Sequence, residues 1–84
     1  MQLPTLDGSI QQRIQRAVLE QLPGAEVEVT GGGGHFSLKV VSAEFAGKNT
    51  LAKQRLVLRA LAPLMSGPNA PVHAIDSLQT LTPE

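Results

Sequence analysis

Histidine is the residue type in this chain best suited to metal chemistry, and there are only two: His35 and His73. A neutral imidazole offers one nitrogen lone pair to a metal or a proton. Cysteine is absent, which rules out a disulfide, a thiolate nucleophile and a self-contained zinc or iron–sulfur site. Two imidazoles without a thiolate fit half of a metal site that a partner completes, or two ordinary hydrogen-bonding surface residues. A second group is basic. The segment Phe45–Arg55, FAGKNTLAKQR, sets a glycine and a lysine ahead of a helix, and Lys48, Lys53, Arg55 and Arg59 all lie in a stretch between Glu44 and Asp76 that holds no acid. Such a stretch suits phosphates or an acidic protein surface, or is simply a solvated helix face.

The elements that must carry these residues are legible from periodicity. Ile10, Ile14, Val18 and Leu22 recur every four residues, with Ala17 and Leu19 widening the stripe, so a first helix is expected. Asp7 or Ser9 would cap it, Ser9 with Gln12 as a capping box, and Pro23-Gly24 would stop it. Ala25–Thr30 alternates strictly, as does His35–Val41 with Phe36, Leu38 and Val40 on one face. Two alternating runs joined by Gly31–Gly34 read as a β-hairpin with a flexible tip. Phosphate-cradling glycine loops lie instead between a strand and a helix. Glycine there also lets a ligand or partner approach the backbone closely.

After a turn at Gly47 a second helix is expected from about Asn49. Leu51, Val57, Leu58, Leu61, Leu64 and Met65 share one side of it, with Lys53, Arg55 and Arg59 outside that arc. Gln54 falls within the arc, where it is expected to be partly shielded and hydrogen-bonded. Pro63 is expected to end or kink the helix. SGPNAP is a loop, Val72–Leu78 reads as a third strand, and Thr82-Pro83 marks a turn or a helix start.

The order is α-β-β-α-β, in one domain spanning residues 1–84, with residues 1–6 expected to be flexible. Strands joined through a helix are expected to run parallel. His35 opens its strand and His73 is second in its own, so parallel neighbours ~4.8 Å apart would put both histidines at one end of the sheet. Phe36 faces the core, which sends His35 to the opposite face. His73 is harder to orient, because Val72, Ala74 and Ile75 do not alternate cleanly.

Composition bounds the rest. An 84-residue chain has a thin core. With no Trp or Tyr and two Phe, aliphatic residues must fill that core. The N-terminus MQLPTLDGSI lacks a signal-peptide pattern, and no apolar run approaches the ~20 residues of a membrane span. A soluble cytoplasmic protein is expected.

FAGKNTLAKQRLVLRAL followed by VHAIDSLQTLTPE resembles the BolA family, whose hallmark is F-x-G-K-x-x-L-x-R-H-R, then I/V-H-A and T-P-x-E downstream. VEVTGGGGHFSLKVVSAEF resembles the family's hairpin, especially in its IbaG-like branch, which carries G-x-G-S-H-F there. The likeness runs from Asp7 onward. It implies an α+β, class II KH-like fold, with a three-stranded mixed sheet covered by helices on one face. It also implies a monothiol glutaredoxin as partner, with a [2Fe–2S] cluster bridging the two proteins. A histidine equivalent to His73 and a second ligand from the hairpin loop would come from this chain. A cysteine and a glutathione thiol would come from the other side. Two imidazoles on one iron, with thiolates on the other, is the ligand division of Rieske centres. Protonated imidazole cannot bind metal, so such ligation weakens as pH falls.

The chain departs from the family pattern in three places. R-H-R is here Lys53-Gln54-Arg55, a K-Q variant that IbaG-like members share, so no histidine role passes to Gln54. Many relatives place the loop ligand roughly where Gly32 stands, which leaves His35 as the loop candidate. Relatives usually start a final helix where this sequence ends, at Glu84.

Nucleic-acid binding, as in a KH-like transcriptional regulator, is the competing class, with Lys48, Lys53, Arg55 and Arg59 as its contacts. Against it, Gly47-Lys48-Asn49-Thr50 has only the first glycine of the G-x-x-G clamp, aromatics for base stacking are missing, and net charge is zero. Catalysis is not expected, because no nucleophile is paired with a base. A plain interaction module and a homodimer are also compatible with the residues.

Overall fold

A computed structural model describes the backbone of residues 5–83 and the side chains of residues 10–83. The elements are α1 (Thr5–Gln21), β1 (Glu26–Gly32), β2 (His35–Val41), a 3-10 turn (Ala43–Phe45), α2 (Thr50–Met65) and β3 (Ala74–Leu81). The strands lie in the order β1-β2-β3, with β1 antiparallel and β3 parallel to the central β2. This is the expected three-stranded mixed sheet. The parallel pair follows from the intervening helix, which carries the chain back to the starting end of β2.

The core forms where apolar faces of both helices meet one face of the sheet. Ile14, Val18 and Leu22 come from α1, Phe36, Leu38 and Val40 from β2, and Val57 and Leu61 from α2; all are buried. Phe45 and Val72 close the two ends of α2's connections and are also buried. Central position explains why β2 carries the most buried alternation, while the inward residues of β1 and β3 are half-buried.

Several expectations shift. The backbone of α1 already runs helically through Asp7 and Ser9, so neither stands at a cap. Of the residues expected to be flexible, Thr5 and Leu6 begin this helix and residues 1–4 lie outside the described residues. Leu19, Leu51 and Leu58 are exposed; the buried arc of α2 runs instead through Val57, Ala60 and Leu61. Helix α2 passes through Pro63 and continues to Met65, because Leu64 and Met65 still pack against the core. Proline removes its own amide bond and crowds the Arg59 carbonyl there, a cost the helix bears to its last turn. Asn49 caps α2, its Oδ1 accepting from the Ala52 amide at 2.9 Å. Gln54 is half-buried, without a side-chain hydrogen bond among the described residues.

The 3-10 turn was not expected. Buried Ser42 stands at its start and accepts the Glu44 amide on Oγ at 3.1 Å, a local bond that serine favours just before a turn. The turn swings Phe45 fully into the core. That gives the first residue of FAGKNTLAKQR a packing role.

Free backbone groups on the outer edge of β1 are met by α1. Gln15 Nε2 donates to Val27 O at 3.2 Å, and Gln11 Nε2 to Gly31 O at 2.8 Å. Covered in this way, the edge is a poorer template for stray strand pairing.

Candidate functional site

The hairpin turn is tighter than four glycines imply. Gly31 and Gly32 belong to β1, and Gly32 pairs with His35. Only Gly33 and Gly34 form the turn, with φ of 63° and 88°. A two-residue turn with both central φ values positive matches strand twist and strongly favours glycine. The short turn places His35 as the first residue of β2, as expected.

Parallel pairing of β2 with β3 then fixes His73. Its backbone N–H donates to Gly34 O at 2.7 Å, and the Ala74 amide donates to the same oxygen at 3.0 Å. His35 pairs with Ala74 in the sheet register. Both histidines therefore lie at one end of the sheet, one residue apart in register. His73 precedes β3 instead of being its second residue, because β3 is Ala74–Leu81 and not Val72–Leu78. The side chain of His73 is exposed.

Gly34 also sets where the His73 ring lies. A Cβ at Gly34 would fall 2.6 Å from His73 Cδ2 and 2.9 Å from Cγ. The glycine is buried although its neighbours in the tract are exposed, because the imidazole covers it.

On His35, Nδ1 lies 3.2 Å from Oδ1 of Asp76, with both side chains more than half exposed. Asp76 enters the site through a register shift. Phe36 pairs with Ile75 and Ser37 with Ser77, leaving Asp76 as the extra residue of a β-bulge. The bulge puts Ile75 and Leu78, three residues apart, on the core side, and Val72 falls before β3, which together break the alternation over this stretch. Asp76 and Gly34 are the site residues that sequence periodicity missed. The broken alternation was a signal for Asp76, while nothing local in the sequence linked Gly34 to His73. Among the described residues no three His, Cys, Asp or Glu side chains gather at metal-binding range.

The basic residues do not form one stripe. Arg55 and Arg59, a helical turn apart, are exposed on α2, and exposed Leu51 and Leu58 lie on the same side. Lys53 is half-buried and points away from that side, while exposed Lys48 precedes the helix. Among the described residues no helix is long and apolar enough to cross a membrane.

The fold and this histidine pair define a small α+β protein with two helices on one face of a mixed sheet and two histidines at one sheet end. The family model described as BolA-like protein matches residues 11–84, and the chain belongs to that family. A BolA protein homologue from Coxiella burnetii is similar at 31% identity and a TM-score of 0.70, with 98% of this chain and 94% of the other covered. The BolA domain of SufE1 from Arabidopsis thaliana is similar at 30% identity and a TM-score of 0.75, covering 90% and 94%. BolA1 from the same plant shares 25% identity at a TM-score of 0.71, covering 86% and 89%. The comparison with curated proteins gives no match.

Proposed function

We propose that this BolA-like chain is a non-catalytic partner of a monothiol glutaredoxin, and that the two share a bridging [2Fe–2S] cluster in iron–sulfur trafficking or iron-dependent regulation. The carrying observation is that His35 and His73, both exposed, come to the same sheet end beside a two-glycine turn. His73 and His35 would supply imidazole nitrogens, and the partner's cysteine with glutathione would supply thiolates, a division suited to a [2Fe–2S] centre.

The residues fit that group on three counts. His73 is seated by the Gly34 carbonyl and α-carbon. His35 is cross-strand from Gly32, roughly the hairpin position where many relatives carry their loop ligand, so its backbone is a direct neighbour of that position. Exposure of both histidines leaves room for a partner to bring the remaining ligands. Arg55, Arg59, Leu51 and Leu58 offer a mixed apolar and basic face on α2 for docking an acidic partner surface, with Lys48 at its margin and Lys53 outside it.

The test is to mix the chain with a monothiol glutaredoxin, iron, sulfide and glutathione, then record visible absorption and circular dichroism. A new spectrum together with a heterocomplex is expected. A spectrum identical to that of the glutaredoxin alone, with no complex, sinks the proposal.

A further inference from the structure

We propose that Asp76 is a positioning residue for His35: the bulge in β3 aims its carboxylate at Nδ1, which holds the imidazole as the Nδ1–H tautomer and presents Nε2 as the free ligand atom. The identity of Nε2 as a ligand rests on the function proposed above; the tautomer does not.

The argument starts from the register. Regular pairing would send residues 75 and 76 of β3 to alternate faces opposite Phe36 and Ser37. Instead Ser77 takes the place opposite Ser37, and Asp76 has no pairing partner. An extra residue in one strand bends it and re-aims the side chain it carries. Here it brings Oδ1 to 3.2 Å from His35 Nδ1, although the two residues are 41 apart in sequence. A carboxylate has no hydrogen to give, so the imidazole nitrogen facing it must be the donor. In the neutral ring the other nitrogen then keeps its lone pair. Metal-ligating histidines characteristically donate their second ring N–H to a carboxylate or carbonyl, which fixes the ring and raises its basicity as a ligand. Among the described residues the one histidine–carboxylate pair is His35 with Asp76, and His73 is held through its backbone and Gly34 instead. The two imidazoles are thus oriented by different means, and only one of them depends on Asp76.

The test uses the full chain without partner, labelled with nitrogen-15, in mildly alkaline buffer where imidazoles are neutral. Long-range proton–nitrogen correlations report the tautomer of each ring. In the parent chain His35 is expected as the Nδ1–H form. Asp76→Ala is expected to move it toward Nε2–H while leaving the His73 signals in place. Asp76→Asn, whose amide oxygen still accepts a hydrogen bond, is expected to retain much of the Nδ1–H form. With glutaredoxin added, Asp76→Ala is expected to make the shared cluster ~10–100-fold easier for a chelator to remove. A His35 that is Nε2–H in the parent, or whose tautomer is the same in Asp76→Ala, overturns the inference. A parent chain that shows the tautomer but forms no cluster with glutaredoxin overturns the proposed function alone, and the positioning of His35 by Asp76 stands.

Discussion

The α-carbon of Gly34 lies under the imidazole of His73, so close that a methyl group there would sit 2.6 Å from Cδ2. The same glycine accepts the His73 and Ala74 amides on its carbonyl and turns the hairpin at φ 88°. Turn, strand start and the orientation of the His73 ring all depend on one residue without a side chain.

Gly34→Ala is therefore expected to act twice. Positive φ costs a non-glycine residue ~1–3 kcal/mol, and the new methyl forces the His73 ring aside. Urea unfolding should show the stability loss, and the His73 ring resonances should shift further than those of His35. Resonances that stay in place in a folded variant would show that Gly34 does not seat the ring.

Removing each imidazole separates their roles. With glutaredoxin, His73→Ala is expected to change the visible circular dichroism more than His35→Ala. His73 is the residue that matches the family's V-H-A motif, whereas His35 reaches the loop position only from across the hairpin. Equal effects, or a larger one from His35→Ala, would reverse that ranking.

Two leucines on α2 give opposite expectations. Leu61 is 0% exposed and Leu51 is 55% exposed. Leu61→Ala should cost ~2–5 kcal/mol through lost burial and the cavity left behind. Leu51→Ala should stay within ~0.5 kcal/mol and, if it lies on the docking face, weaken only the complex. Denaturant midpoints and glutaredoxin titration read the two effects separately.

Asn49→Ala removes the cap whose Oδ1 accepts the Ala52 amide. A loss of ~1 kcal/mol is expected, with Asn49→Asp retaining most of the stability. Thermal unfolding of the three chains checks the order.

Periodicity was enough for the two helices and the hairpin, because apolar spacing of 3.6 or 2 reports which face of an element is buried. The third strand, its alternation broken by a bulge, was legible as a strand but lies at Ala74–Leu81 instead of Val72–Leu78. Helix α2 shows the limit of that reading. Leu51 and Leu58 fit the apolar arc on a helical wheel, yet both are exposed, since the wheel does not say how far the sheet extends beneath the helix. Phe45 reached the core through a 3-10 turn that four irregular residues did not announce.

For the site, the sequence by itself determined which side chains are on offer: two imidazoles, no thiolate and a glycine turn next to one of them. It also placed both histidines at one sheet end, since a strand–helix–strand connection brings the second strand back parallel to the first. Only the tertiary structure decided how each ring is held. Asp76 is 41 residues from His35, and His73 is nearly as remote from Gly34. Those contacts arise from the exact register of β2 against β3, including one bulged residue. A register is set by packing across the whole sheet, so the broken alternation in the third strand could signal an irregularity but not which side chain it would aim at His35.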